Sequence, residues 1–236
     1  MKELLEFVNK YATNIWLLFE IIAAITGLLL LKKYKKTVAK YFIFYLVYVV
    51  FFVIIGRYSY WVRKGPLEFL QGTLLEANYW WFTICWSIIS TLFFSWYYLK
   101  ILKNDKSKIV LKFSTIVFFI VSVTSVLLTL PDFFKGNINT IEILGAFIIL
   151  ECVFFYFMEV LQSDKILKFY KSLTFYISCA ILLLKLIQTP LIFFQPYFRT
   201  ADMDYVNLRN LINVLVISFM YITYTIGLIV SNPDYD

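Results

Sequence analysis

Residues 13–36 read TNIWLLFEIIAAITGLLLLKKYKK, a long apolar run that ends in Lys32, Lys33, Lys35 and Lys36. A helix rises about 1.5 Å per residue, so about 20 such residues cross the roughly 30 Å of bilayer hydrocarbon. The apolar core exceeds that of a signal peptide, no small-residue cleavage site follows, and the lysines read as a stop-transfer flank. The run is therefore expected to be a retained transmembrane helix. One ionisable residue interrupts it, Glu20.

Outward from this stretch the pattern recurs six times. The expected spans are Thr13–Leu31, Val38–Gly56, Tyr79–Leu99, Ile109–Leu130, Ile141–Leu161, Ser172–Phe194 and Val206–Val230. Each reads as helix, because a lone helix satisfies its own backbone groups in lipid. The period-2 alternation of a transmembrane barrel is missing. Composition agrees. The chain is 61% hydrophobic and 16% charged, against roughly 45–50% and about 25% in soluble domains. That argues against a soluble globular protein and against intrinsic disorder. The expected fold is an all-α polytopic membrane protein, a single seven-transmembrane-helix bundle over residues 1–236.

Charge sets the expected topology. Lys32, Lys33, Lys35, Lys36 and Lys40 follow span 1; Lys100, Lys103, Lys106, Lys108 and Lys112 follow span 3; Lys165, Lys168 and Lys171 follow span 5. The other side carries only Lys2, Lys10, Arg57, Arg63, Lys64, Lys135, Arg199 and Arg209, over longer segments. The positive-inside rule places the three lysine loops in the cytoplasm, the N-terminus outside and the C-terminus inside. The net charge of +7 then needs no nucleic-acid partner, and its cytoplasmic share attracts anionic lipid. On the outer side, Pro66 is placed to start a helix with Leu67, Leu70, Leu74 and Leu75 on one face. Leu4, Leu5, Val8 and Tyr11 repeat the theme as an interfacial helix or an extension of span 1. Trp61, Trp80 and Trp81 read as an aromatic belt.

Histidine is absent, which removes His-based acid–base catalysis, Ser-His or Cys-His nucleophile pairs and His-ligated metals. Cys85, Cys152 and Cys179 lie within apolar runs and read as small buried hydrophobes. With seven glycines and no Gly-rich phosphate loop or metal-ligand spacing, the chain is expected to be non-enzymatic, without cofactor or metal. No connection is long enough for a soluble domain, so any cytoplasmic output is expected through a separate partner or through the helices themselves.

Ionisable residues inside the spans cost about 2.5–3.5 kcal/mol each and are functional candidates by default. They are Glu20, Glu151, Glu159 and Lys185. At about 1.5 Å per residue, Glu20 and Lys185 fall about 3 Å outward of the midplane and Glu151 falls at it. A Glu151–Lys185 ion pair shared with Glu20 is one expectation, either as a lock between helices or as a ligand, ion or gating site. Glu159 is expected to be solvated or to meet Lys165. Toward the outside, Gln188, Thr189 and Pro190 continue span 6, and Pro190 is a hinge candidate. Arg209 and Asn213 lie four apart on span 7 and share a face. Glu20, Glu151, Lys185, Gln188, Arg209 and Asn213 are thus the ligand- or ion-binding candidates. Lys32, Lys33, Lys35, Lys36, Lys103, Lys106 and Lys108 are the partner-docking candidates.

In topology this plan resembles heptahelical receptors, microbial rhodopsins and SWEET-type sugar transporters. The residues depart from each. Span 7 lacks a Schiff-base lysine; the inner end of span 3 reads Trp96-Tyr97-Tyr98-Leu99-Lys100 in place of an Arg motif; spans 1, 2 and 5 lack proline. The expected function is a heptahelical sensory or signalling subunit with an outward-facing polar cavity, acting through a cytoplasmic partner. The alternatives are a small-solute or ion transporter or channel using the Glu/Lys cluster, and an accessory subunit of a membrane complex. Eighteen lysines against four arginines, with abundant Phe, Tyr and Ile, suggest an AT-rich bacterial genome and a multi-pass protein of the cytoplasmic (inner) membrane.

Overall fold

A computed structural model describes residues 2–163, 167–194 and 203–235, with side chains from residue 11 onward except at 131, 194, 203 and 204. Lys165 and Arg199, and the side chains of Lys2, Lys10, Leu4, Leu5 and Val8, lie outside what is described. The described residues are helical and contain no strand.

Among the described residues, seven helices are long and apolar enough to cross a membrane. They are α1 (Lys2–Leu29), α2 (Ala39–Gly56), α3, α4 (Asp105–Leu128), α5 (Asn139–Leu161), α6 (Leu173–Phe194) and α7 (Met203–Val230). α3 is composite: a turn Tyr79–Phe82, a π-helical stretch Thr83–Ile88 and an α-helix Ile89–Ile101. The N-terminal residues continue α1 as a helix extension. The helix expected after Pro66 does not form. Glu68–Leu70 makes one 3-10 turn, Gln71 is extended, and Gly72 takes φ 74°. A positive φ suits glycine and ends a right-handed helix.

The helices group into two compact units, Met1–Val47 with Val160–Asp236, and Tyr48–Glu159. The division falls within α2. In the first unit α7 is the shared partner. It runs parallel to α1, since Trp16 packs near Leu211 while Tyr34, just past α1, reaches Leu228. It runs antiparallel to α6, with Gly227 at Tyr176 and Asn213 at Gln188. A Cβ built on Gly227 would stand 2.7 Å from Tyr176 Cβ, so glycine is what permits this approach. Gly27 plays the same part between α1 and Ile43 of α2.

In the second unit α3 lies between α2 and α5. Asn78 Nδ2 donates to Gly56 O at 2.7 Å, Trp81 Nε1 to Phe52 O at 2.9 Å and Tyr48 OH to Cys85 O at 3.0 Å. These contacts run antiparallel along α2 and α3. Gly145 of α5 packs against Thr91, and the Ser95 and Thr115 hydroxyls join α3 to α4. α4 buries only a narrow stripe, Leu111, Phe118 and Ser122, and exposes Ile109, Phe113, Ile116, Ile120 and Leu127.

Candidate functional site

Glu20 is the most deeply buried of the candidate carboxylates, with 6% of its surface exposed. α1 carries it into the first unit beside Tyr221 of α7, whose other electrostatic neighbours are Tyr45 of α2 and Tyr224 of α7. These rings are themselves packed. Phe42 meets Tyr224 edge-on at 5.0 Å, Tyr221 meets Tyr224 at 5.8 Å, and Phe42 stacks on Tyr45 at 6.2 Å. The carboxylate therefore sits next to a tyrosine cluster built from α2 and α7. Tyrosine suits this place because its ring packs like a hydrophobe while its hydroxyl is a donor that a carboxylate can accept from. Trp16, one turn N-terminal to Glu20 on α1, has a buried indole N–H with no hydrogen-bond acceptor.

The sequence-derived candidates on α6 and α7 partly meet. Gln188 Nε2 faces Asn213 Oδ1 at 3.5 Å, a long contact with room to tighten. Thr189, next to Gln188, has a buried hydroxyl without a partner. Arg209 lies one turn from Asn213 and is half-buried, as is Lys185 one turn from Gln188. Pro190 sits inside α6, which continues beyond it. A proline there removes the amide that would bond the carbonyl four residues back, and Tyr205 OH donates to the nearby Leu191 O at 3.3 Å.

Glu151 belongs to the second unit. Its Oε1 accepts a hydrogen bond from Ser114 Oγ of α4 at 3.2 Å, and Ser114 Oγ also lies 3.0 Å from Val110 O. The Ser114 hydroxyl thereby joins α4 to α5 through a carboxylate. Lys165 lies outside the described residues, and Glu159 is half-exposed. Its carboxylate accepts the backbone N–H groups of Lys103 (2.9 and 3.1 Å) and Asn104 (2.8 Å). It thus holds the connection between α3 and α4, where Asn104 Oδ1 caps α4 through Lys106 N. An anion at the start of a helix is favoured by the unpaired amides and the dipole.

The lysines divide into engaged and free-standing groups. Lys33 Nζ donates to Leu228 O at 3.2 Å and Ile229 O at 3.0 Å, capping the end of α7. Lys108 Nζ lies 3.7 Å from Asp105. Lys32, Lys35, Lys36, Lys103 and Lys106 have exposed side chains.

Sequence reasoning did not mark Tyr45, Tyr221, Tyr224 or Trp16. Each sits in an apolar run where an aromatic reads as packing, and the only available signal was the i, i+4 spacing of Trp16 and Glu20 on one helix face. No protein-family model, curated protein or solved structure matches this chain.

Proposed function

We propose that this chain is a non-enzymatic, multi-pass protein of a bacterial cytoplasmic membrane, with its N-terminus outside and its C-terminus inside. It acts as a sensory subunit that binds a small polar ligand in the first unit and signals through a separate cytoplasmic partner. Membrane residence is supported by the long exposed apolar face of α4, which in water would be an aggregation site and in lipid is simply solvated. Orientation rests on the lysine asymmetry.

The observation that carries the ligand reading is Glu20. A carboxylate this deep in an apolar helix costs about 2.5–3.5 kcal/mol, and it lies in the same unit as the long Gln188–Asn213 contact and the unpartnered Trp16 and Thr189 donors. Those groups have hydrogen-bonding capacity to spare, as a site awaiting a polar molecule requires. Output would pass through exposed lysines, Lys103 and Lys106 above all, because Glu159 fixes the connection that bears them.

Thermal unfolding of the purified protein against a panel of small polar metabolites tests this. A ligand that stabilises the wild type is expected to lose its effect in Glu20→Gln and in Lys185→Met. Equal shifts in all three proteins would sink the proposal. Transport is the second reading, favoured by Pro190 inside α6 beside Gln188 and Thr189, where the missing amide leaves a helix carbonyl short of its usual donor. Uptake of the same ligand into proteoliposomes, lost in Glu20→Gln, would select it.

A further inference from the structure

Two lysine-bearing connections, remote in sequence, meet at the end of α7. From one side, Lys33 caps α7, and the Tyr34 hydroxyl bonds Leu228 O at 2.8 Å and Ser231 Oγ at 2.7 Å. Tyr34 is fully buried. From the other side, Asn232 N donates to Lys171 O at 2.7 Å, and the Lys168 and Lys171 ammoniums lie 5.6 and 5.4 Å from the Tyr235 ring. The last turn of α7 and the residues after it therefore join both connections into one basic surface. It carries Lys32, Lys35, Lys36, Lys40, Lys168 and Lys171, and Asp234 is the acidic side chain among the described residues there.

We propose that this surface binds the phosphate headgroups of anionic phospholipid, an inference that rests on the membrane reading above. The lysines alternate with exposed apolar and aromatic side chains. Leu167, Phe169 and Tyr170 flank Lys168 and Lys171, and Lys40 Nζ sits 4.8 Å over the Tyr41 ring. Ammonium groups over rings at the end of apolar helices match the headgroup level of a bilayer, where rings settle at the interface and ammoniums reach phosphate. A purely acidic soluble segment would leave Leu167 and Phe169 in water, whereas acyl chains cover them. The Tyr34 anchor also fixes the Lys32–Lys36 turn in advance, so less chain entropy is lost when phosphate binds. This assigns the first unit's lysines to lipid and leaves Lys103 and Lys106 for the protein partner.

The test uses the full chain reconstituted in phosphatidylcholine bilayers with and without phosphatidylglycerol, followed by native mass spectrometry of the lipid it retains. Wild type is expected to prefer phosphatidylglycerol by about tenfold or more, at about fivefold per lysine engaged, and to lose that preference as salt rises. The variant Lys32→Gln/Lys35→Gln/Lys36→Gln/Lys40→Gln is expected to lose most of that preference and keep only the share of Lys168 and Lys171, and the matching Lys→Arg variant to keep it whole. An equal loss in Lys103→Gln/Lys106→Gln/Lys108→Gln would reduce the effect to net charge and overturn the proposal. So would displacement of the lipid by soluble polyglutamate, which would assign the surface to an acidic protein. Insertion into both bilayers with no lipid preference overturns this inference alone; failure of the wild type to insert in either overturns the membrane reading.

Discussion

Glu20 and Glu159 show how far a residue's identity falls short of its role. Both are carboxylates within apolar helices, and the sequence marks both as expensive. Glu159 spends its charge on the backbone amides of Lys103 and Asn104, a partner that no side-chain pattern announces because every residue has a backbone N–H. It is a structural anchor. Charge-assisted hydrogen bonds contribute about 1.5–3 kcal/mol, and those on a half-exposed group fall at the low end. Glu159→Ala is therefore expected to lower stability by about 1–2 kcal/mol in denaturant titrations in detergent, with Glu159→Gln intermediate because it keeps one acceptor oxygen. A neutral Glu159→Ala would mean the connection holds itself. Glu20 instead lies beside Tyr221 and its tyrosine neighbours, which the sequence presented only as aromatic residues in an apolar run.

At the scale of the element, the seven helices were legible because each holds a run of about 20 apolar residues, and their observed bounds stay within a few residues of the expected ones except where α1 reaches back to Lys2, α4 begins at Asp105 and α2 is prolonged toward Lys64. The interior of α3 was not legible. Thr83–Ile88, TICWSI, has nothing in its composition to distinguish π from α winding, and the Tyr48 hydroxyl that bonds the Cys85 carbonyl comes from a different helix. A wider turn leaves carbonyls to be satisfied from outside, and such turns recur at functional positions. Close approach between helices was also hidden, since a glycine in a span reads the same whether it faces lipid or a neighbour. Gly227→Ala sets a Cβ against Tyr176 Cβ and Cγ, atoms near the backbone that cannot swing aside. It is expected to cost about 1–3 kcal/mol, visible as a lower melting temperature. Gly136→Ala, where a Cβ would have no neighbour within 4 Å, serves as the control.

For the whole molecule the prediction concerns topology. Thr73 lies between α2 and α3, and Lys106 lies at the start of α4. Thr73→Cys is expected to react with a membrane-impermeant maleimide on intact cells, and Lys106→Cys only after permeabilisation. The native cysteines lie within the span helices, with Cys85 and Cys152 buried and Cys179 half-buried. The opposite labelling pattern would invert the orientation and place the lysine surface outside.

Local quantities were set by the sequence itself. Span number, span length and the expected side of each loop follow from apolar run length and lysine count, because lipid imposes its thickness and its potential on every segment separately. Partnership was decided only by the tertiary structure. Whether Glu151 meets Ser114, which ring lies beside Glu20, and that Lys32–Lys36 and Lys168–Lys171 share one end through Tyr34, Ser231 and Asn232 all depend on contacts between distant segments. In an apolar chain such contacts leave little trace in sequence, because a residue facing lipid and one facing another helix are chosen from nearly the same side chains.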